Sequence, residues 1–434
     1  MKKTKIITLL SVGLFSLTSC RSSHYNTDNY CKSLEWDGSR NFNILQITDL
    51  HLNMMMNRKK YFSILQDTVD VSKKRALSIE EPTEKGTSSI DLIVLTGDNF
   101  TFGTKAVAKE FFKFMDRQAI PWAITWGNHD EQCFFSMYWL TEYLNDLNHK
   151  RESDGSSYCV FRNNPTDDVF GDANYIINLD RKNANPNVEP DTLEQIYIFD
   201  SNRYNYNVDE YFGYDYIHTD QVEWYRRAAE DYSYINDEGE KKYTPSLSFF
   251  HIPFPEFEMA YVCAGGGTSY EGEKIDGDKK EGFDFLRSDT TSSDTSDKNP
   301  IRNYHDSATS LGDPSINTGL CYYMRNCNTT GVFVGHNHTS DYAVKVSKDA
   351  VFPIKFEDRG WEFDRFSYDD GSPCSNDITL SFGLKSNDRI YFDTNYHYLG
   401  AQIVSVHKPE EGKNKAPGTF DVIEVFTGDK SQYE

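Results

Sequence analysis

Positive charge is scarce in this sequence. Its 434 residues include 45 lysines and arginines against 67 aspartates and glutamates, which gives a formal net charge of −22 at pH 7. No basic stripe offsets this excess, so the composition disfavours nucleic acid or an anionic membrane surface as a partner. An anionic substrate would need a local source of positive charge, which a bound metal ion can supply.

A long apolar run is also missing from the N-terminus, where residues 6–17 are apolar but too few for an ordinary membrane span. Three lysines precede this run and small residues follow it, as in a secretory signal. The closing residues Leu17-Thr18-Ser19-Cys20 resemble the lipobox of bacterial lipoproteins, in which cleavage leaves a lipidated cysteine. We therefore expect an exported protein, anchored to a bacterial membrane only through lipid on Cys20. An ordinary cleaved signal peptide and an uncleaved anchor are the alternatives.

Cysteine pairs with C-x-x-C spacing are absent, so nothing indicates a zinc knuckle. Seven cysteines follow Cys20, which is an odd number. An exported protein permits disulfides, and Cys321 and Cys327 are the nearest pair in sequence, so one or two bridges are compatible with the sequence. The sequence alone leaves the pairing open.

Residues 21–41 are polar and are predicted to be a tether, followed by one domain over residues 42–434. In this domain, strand patterns alternate with amphipathic helix patterns, which indicates an α/β fold. The predicted strands are 43–48, 90–96, 120–125, 175–179, 195–200, 247–250, 331–334, 390–392, 401–406 and 421–427, and the predicted helices are 61–74, 106–117, 137–147 and 219–231. Two stretches without clear periodicity, near 264–316 and 346–388, are predicted to be insertions or long surface loops.

Five short polar clusters occur along the chain, and four of them directly follow an apolar run. They are Asp49-Leu50-His51, Gly97-Asp98-Asn99, Gly127-Asn128-His129-Asp130, His251-Ile252-Pro253 and Gly335-His336-Asn337-His338. The carboxyl ends of strands in an open α/β sheet converge on one edge, so residues far apart in sequence can surround one site. Carboxylate oxygens, an amide oxygen and imidazoles are all ligands for divalent metal ions.

Each cluster alone has an ordinary structural explanation. A single Asp-x-His or Gly-Asn-His-Asp segment is more often a capped turn, and a lone histidine is more often a packed or surface residue. The joint occurrence of all five in this order is what indicates a metal site. The structural interpretation is kept for the other histidines, which are His24, His149, His218, His305, His397 and His407.

Together the five clusters resemble the calcineurin-like metallophosphoesterase superfamily over roughly residues 42–345. Phe250-His251-Ile252-Pro253-Phe254-Pro255-Glu256 and Val332-Phe333-Val334-Gly335-His336-Asn337-His338 are similar to motifs of its purple-acid-phosphatase-like branch. The resemblance implies a four-layer α/β/β/α sandwich of two mixed β-sheets flanked by helices. One residue departs from the pattern: purple acid phosphatases have a tyrosine ligand where this chain has Thr101, so no Fe(III) charge-transfer colour is expected.

By position, the resemblance implies two divalent or mixed-valence metal ions, for which Mn, Fe and Zn are all suitable. The first ion would be held by Asp49, His51, Asp98 and His338, and the second by Asp98, Asn128, His251 and His336. The catalytic residues would be Asp98, which bridges the ions, and His129, which donates a hydrogen bond or a proton to the substrate. A bridging hydroxide would attack the phosphorus atom in line. Asp130 either orients His129 or caps the next turn.

We therefore expect a metal-dependent phosphomonoesterase or phosphodiesterase that acts on a small phosphorylated substrate. The alternative is a lipid-anchored, metal-containing binding or scaffold protein without useful hydrolase activity. Trp126, Phe254 and the tyrosine-rich residues 204–216 either line a substrate pocket or pack in the core. With 15% aromatic residues, core packing is the default for this chain.

Overall fold

Two β-sheets stacked face to face, with helices on both outer sides, make up the computed structural model of this protein. The structure describes residues 31–427 except 79–88, 165–167, 182–190, 206–212, 237, 267, 271–272, 276–278, 289–316, 339, 341, 353–354, 357–360, 363–370, 387–398, 412 and 414. The four-layer α/β/β/α arrangement implied by the family resemblance is thereby confirmed. Within the described residues, no helix is both long enough and apolar enough to cross a membrane.

The strands and helices of the described residues are numbered in chain order. The strands are β1 Cys31–Glu35, β2 Phe42–Ile47, β3 Leu92–Thr96, β4 Trp122–Thr125, β5 Tyr175–Arg181, β6 Asp191–Ile198, β7 Tyr204–Asn205, β8 Gly213–Tyr214, β9 Ser233–Ile235, β10 Lys241–Tyr243, β11 Ser246–Phe249, β12 Thr268–Tyr270, β13 Glu273–Ile275, β14 Phe283–Ser288, β15 Thr329–Val334, β16 Tyr342–Val346, β17 Lys355–Phe356, β18 Trp361–Glu362, β19 Ile378–Phe382, β20 Gly400–Val406 and β21 Phe420–Phe426. The helices are α1 Arg58–Leu77, α2 Lys105–Arg117, α3 Met137–Ser153, α4 Thr219–Asp231, α5 Glu256–Cys263 and α6 Leu320–Asn326.

The smaller sheet has the order β21-β20-β2-β3-β4. Strands β2, β3 and β4 run parallel, whereas β20 pairs antiparallel with both β2 and β21, so the sheet is mixed. β3 consists of Leu-Ile-Val-Leu-Thr and is buried along its whole length. This continuous apolar run is typical of a parallel strand covered on both faces.

The larger sheet has the order β1-β5-β6-β11-β15-β19-β16-β14. Its central strands β6, β11, β15 and β19 run parallel, whereas β16 pairs antiparallel with β19 and β14 pairs antiparallel with β16. β11 and β15 therefore end at the same edge. His251 follows the end of β11 and His336 follows the end of β15.

Helices cover the outer face of each sheet. On the smaller sheet, α1 packs against β20 and β21, and α2 presents Phe112, whose ring stacks on Trp122 of β4 with the ring centres 5.5 Å apart. α2 begins at a capped position, because the Thr104 side chain accepts a hydrogen bond from the backbone N–H of Val107. On the larger sheet, α5 packs against β14, β16 and β19, and α6 packs against β15.

The predicted order of strands and helices in residues 42–260 is confirmed, and α4 has the predicted bounds. The helix α5 was missed because all eight of its residues are buried, so the segment shows no alternation between a polar and an apolar face. The predicted strand at 390–392 lies outside the described residues. The predicted signal segment 1–20 and residues 21–30 of the predicted tether also lie outside them.

Three predictions about irregular segments are wrong in part. Cys31–Glu35, within the predicted tether, forms β1, which pairs in parallel with β5. Phe283–Ser288 and Ile378–Phe382, within the two predicted insertions or loops, form β14 and β19 of the larger sheet. Each of these strands is short and pairs only with strands distant in sequence, so no local hairpin signal accompanies it.

No disulfide forms among the seven cysteines after Cys20, all of which are described. The one or two bridges that the sequence permits are therefore not formed, and the nearest pair in sequence, Cys321 and Cys327, is unbridged. These residues lie near opposite ends of α6. Six residues of helix rise by about 9 Å, whereas a disulfide needs Cα atoms within roughly 7 Å.

One buried carboxyl makes the stability of this fold depend on pH. Glu194 of β6 is fully buried, and neither of its carboxyl oxygens has a hydrogen-bond partner among the described residues. Burial raises the pKa of Glu194 from 4.5 to about 8. The folded protein therefore keeps this proton up to about pH 8, whereas the unfolded chain loses it near pH 4.5. The stabilisation from the proton is complete below pH 4.5 and is lost as pH rises towards 8.

We expect Glu194→Gln to remove this pH dependence, since the amide stays neutral. The free energy of unfolding of the variant, relative to the wild type, should rise between pH 5 and pH 8.5 by about 4 kcal/mol. Urea unfolding at several pH values measures this difference. Glu238→Gln, at an exposed glutamate, is the matched control and should show no such trend. If the difference in the free energy of unfolding between the wild type and Glu194→Gln does not change with pH, the raised pKa of Glu194 would be contradicted.

Candidate metal centre

The polar clusters meet where strands of the two sheets end. Asp49 and His51 follow β2, Asp98 follows β3 and Asn128 follows β4, all in the smaller sheet. The histidines that follow β11 and β15 approach from the larger sheet. The convergence expected at the carboxyl ends of parallel strands is thus observed, but it involves two sheets rather than one edge.

One group consists of Asp49, His51, Asp98 and His338, whose ligand atoms all lie within 4.8 Å of one another. Nε2 of His338 lies 3.2 Å from Oδ1 of Asp49. Nε2 of His51 lies 2.9 Å from Nε2 of His338 and 3.7 Å from Oδ2 of Asp98. Three of the four residues are fully buried, and His338 is partly exposed.

A second group consists of Asp98, His251 and His336, again with ligand atoms within 4.8 Å. Nε2 of His251 lies 3.3 Å from Oδ2 of Asp98, and the rings of His251 and His336 are 5.1 Å apart. Asn128 lies beside this group, because the next residue in the chain, His129, donates its backbone N–H to Oδ1 of Asp98 at 2.8 Å. Asp98 belongs to both groups.

Unpartnered buried atoms show that these residues are suited to metal ions. Oδ1 of Asp49, Oδ1 of Asn128 and Nε2 of His251 are buried and form no hydrogen bond among the described residues. Leaving such a polar atom unpaired costs on the order of 1–3 kcal/mol each. Two carboxylates, one amide oxygen and four imidazoles are a suitable donor set for a pair of divalent cations.

The backbone at this centre is strained. Asp49, His51, Asp98 and His336 all have positive φ, between 46° and 73°, which non-glycine residues rarely adopt. Such strain costs of order 1–3 kcal/mol per residue and tends to occur at functional sites. Gly97 also has positive φ, and a Cβ there would lie 2.5 Å from Cγ of His251. The glycine therefore lets the β3 turn approach His251 closely.

Neighbouring hydrogen bonds fix the imidazole orientations. Nδ1 of His51 pairs with the Thr101 hydroxyl at 2.8 Å, and Nδ1 of His251 pairs with the Thr96 carbonyl at 2.8 Å. Both arrangements leave Nε2 directed at the carboxylates, as is usual for histidines that bind metal ions. Thr101, which stands where purple acid phosphatases have a tyrosine ligand, thus orients the His51 imidazole through its Nδ1.

The candidate general acid His129 is separate from both groups. Its Nε2 lies 4.0 Å from Oδ2 of Asp98, and 13% of its side chain is exposed. Its Nδ1 pairs with Oε1 of Gln132 at 2.7 Å, within a short 3₁₀ turn. Asp130 does not orient this ring. Its carboxylate instead accepts the backbone N–H groups of Phe100 and Gly127, each at 2.8 Å, so it closes the turn that begins at Gly127 and joins this turn to the loop after β3.

Burial and mutual charge shift the pKa values of the buried groups. Burial alone would raise the pKa of Asp98, but the neighbouring His251 outweighs it and holds that pKa well below its usual value. Burial opposes protonation of His251, yet the charge of Asp98 raises the pKa of His251 to about 9. Burial and the charge of His251 lower the pKa of His336 to about 3, which leaves its ring neutral and able to bind a metal ion. A metal ion would have to displace the proton on His251.

Burial also shifts the pKa values of two residues of the first group, His51 and Asp49, and of Asp130 in the nearby turn. Burial lowers the pKa of His51 well below its usual value. Burial would raise the pKa of Asp49, but the His338 imidazole, whose Nε2 lies 3.2 Å from Oδ1, leads the effects that hold it below its usual value. Burial, reinforced by the charge of Asp98, raises the pKa of Asp130 to about 7.

Aromatic residues beside the centre divide into two kinds. Trp126 is fully buried in the core, as the default interpretation held. Phe254 lines a small cavity together with Tyr216 and Pro253, next to His251. Tyr204 and Tyr214 contact the centre itself, through Asn128 and His336 respectively.

The structure brings together all eight residues that the sequence singled out, which are Asp49, His51, Asp98, Asn128, His129, His251, His336 and His338. That they bind metal ions or act in catalysis stays a prediction. Sequence reasoning missed Gln132 and the role of Thr101. The three-residue spacing from His129 to Gln132 is a signal that one helical turn would bring them together.

Comparison with known proteins agrees with this fold and with the candidate metal-binding residues, which together are typical of the metallophosphoesterase family. A family model described as calcineurin-like phosphoesterase matches residues 42–340. The chain therefore belongs to the calcineurin-like phosphoesterase family.

Individual relatives are distant. The chain is 25% identical over 333 residues to "Probable inactive purple acid phosphatase 29" of Arabidopsis thaliana, covering 72% of this chain and 70% of that protein. It is 24% identical over 370 residues to "Probable inactive purple acid phosphatase 14" of the same plant, covering 79% and 76%. It is 29% identical over 245 residues to "Phosphatase DCR2" of Saccharomyces cerevisiae, covering 53% of this chain but only 38% of the yeast protein.

Proposed function

We propose that this protein is a hydrolase of phosphate esters that depends on two metal ions. The observation that carries the proposal is the pair of ligand groups that share Asp98. When bound there, two cations supply Lewis-acid activation of a phosphoryl oxygen and of a water molecule. Asp49, His51, Asp98 and His338 would hold one ion, and Asp98, Asn128, His251 and His336 the other.

His129 is the residue that we assign to the substrate rather than to a metal ion. It lies outside both ligand groups and is partly exposed. Its Nδ1 is paired with Oε1 of Gln132, which leaves Nε2 to face the substrate. Because Nδ1 donates to that oxygen, Nε2 donates a hydrogen bond or a proton to the phosphoryl or leaving group in the imidazolium form of the ring. Asp98 accepts the backbone N–H of His129, which ties the position of this acid to the ligand that bridges the two groups.

The relatives' names favour one second candidate. Two are named as probable inactive phosphatases, and one is named as a phosphatase. A protein that binds metal ions without useful hydrolysis is therefore the alternative. The complete donor set and the separate His129 support the hydrolase, because a purely structural metal site does not require a partly exposed imidazole beside it.

The first prediction concerns metal content. We expect the purified wild type to hold two metal ions per chain by elemental analysis, and Asp98→Asn to hold far fewer, because the amide loses the charge that both groups share. Asp421→Asn, at an exposed aspartate on β21, is the matched control and should bind as the wild type does. Absence of metal after reconstitution with Mn²⁺, Fe²⁺ or Zn²⁺ would overturn the proposal.

The second prediction separates catalysis from binding. His129→Ala should reduce kcat for an aryl phosphate by about 100- to 10,000-fold while metal content stays at the wild-type value. His149→Ala, at an exposed histidine of α3, is the control. Equal loss of metal and activity in His129→Ala would make His129 a ligand or a structural residue. If the wild type holds two metal ions but hydrolyses neither phosphomonoesters nor phosphodiesters, this result would support the alternative of a metal-binding protein without useful hydrolysis.

We also propose that the protein is exported and anchored by lipid on Cys20, with a small phosphorylated molecule as its substrate. Only the sequence supports this location. In bacterial cells supplied with a labelled fatty acid, the wild type should carry the label and sediment with membranes, whereas Cys20→Ser should do neither. An unlabelled, soluble wild type would instead indicate an ordinary cleaved signal peptide.

A further inference from the structure

Two tyrosines reach the candidate metal centre from a segment outside the five clusters. Tyr204 of β7 and Tyr214 of β8 lie opposite each other in an antiparallel pair. Their rings are stacked, with centres 5.4 Å apart and planes inclined by 29°. Both side chains are half-buried, so this tyrosine pair forms a wall of the centre rather than part of the core.

Tyr204 contacts the amide of Asn128. Nδ2 of Asn128 donates a hydrogen bond to the Tyr204 hydroxyl at 2.9 Å, whereas Oδ1 is buried and has no partner among the described residues. An asparagine amide has a donor side and an acceptor side, and only its oxygen can bind a metal ion. The Tyr204 hydroxyl accepts from Nδ2 here, and this hydrogen bond holds the amide in the orientation in which its oxygen is available as a ligand.

Tyr214 contacts another ligand of the same group. Its ring meets the His336 imidazole edge to face, with centres 4.4 Å apart and planes inclined by 86°. Because aromatic contacts of this geometry are favourable, Tyr214 restrains the rotation of the His336 ring. The tyrosine pair thus touches Asn128 and His336, which would both bind the second ion.

We propose that Tyr204 and Tyr214 are positioning residues for the second metal ion, a role that rests on the proposed function. Neither is a ligand. Tyr204 fixes which atom of Asn128 is available as the ligand, and Tyr214 fixes the ring plane of His336. The β7–β8 pair therefore controls the affinity of the second site, while the ligands Asp49, His51 and His338 of the first site are supported by other residues such as Thr101.

The decisive variant is Tyr204→Phe, which keeps the stacked ring and removes only the hydroxyl. We expect the affinity for one of the two metal ions to fall by about 10- to 100-fold, as for other residues that orient ligands. Elemental analysis at graded free Mn²⁺, with a chelator as competitor, should show loss of one ion while the other is retained. Saturating Mn²⁺ should restore kcat.

Two further variants keep the test independent of folding. Tyr214→Leu removes the ring contact to His336 and should lower the affinity for the same metal ion. Tyr234→Phe, on β9, which pairs with β10 in a separate two-stranded sheet, is the matched control and should bind both ions as the wild type does. A Tyr204→Phe protein that binds both ions with wild-type affinity would overturn the inference and leave the proposed function intact. A wild type that binds no metal would instead overturn the proposed function.

Discussion

The shared carboxylate of Asp98 is the group on which the rest of the centre depends. Its Oδ2 lies 3.3 Å from Nε2 of His251 and 3.7 Å from Nε2 of His51, and its Oδ1 accepts the backbone N–H of His129. One side chain therefore connects both ligand groups with the candidate acid. Its position in turn depends on the turn at Gly97, where no side chain would fit against His251. Displacement of this carboxylate would affect every other part of the centre.

Contact between the two sheets maintains this arrangement. Gln46 of β2 donates hydrogen bonds to the Thr96 hydroxyl at 2.8 Å and to the Val334 carbonyl at 3.1 Å. It thereby connects the strands that lead to Asp49, Asp98 and His336. Phe249 and Phe333, on neighbouring strands of the larger sheet, stack with ring centres 4.9 Å apart and belong to the same hydrophobic core as the residues of β2. Close packing and one buried amide thus hold ligands from separate sheets in register.

The departure at Thr101 illustrates how a family pattern changes while the centre is retained. A phenolate ligand is replaced by a hydroxyl that orients His51, so the loop contributes to the first group through an imidazole. The tyrosines near the second group come from a different part of the chain, β7 and β8, and contact ligands rather than replacing them. Sequence motifs identify candidate ligands, but they do not identify the residues that orient those side chains.

The sequence by itself determined the α/β alternation and the identity of the ligand-type residues. Local patterns suffice there, since buried parallel strands such as β3 are continuously apolar and each polar cluster lies directly beyond a strand. Only the tertiary structure decided that β1, β14 and β19 belong to the larger sheet, because their partners are distant in sequence. It also decided that Asp130 closes a turn, that Gln132 orients His129, and that Tyr204 and Tyr214 touch the centre. These roles depend on contacts and backbone angles that long-range packing imposes, and positive φ at Asp49, His51 and Asp98 is stable only when the surrounding structure enforces it.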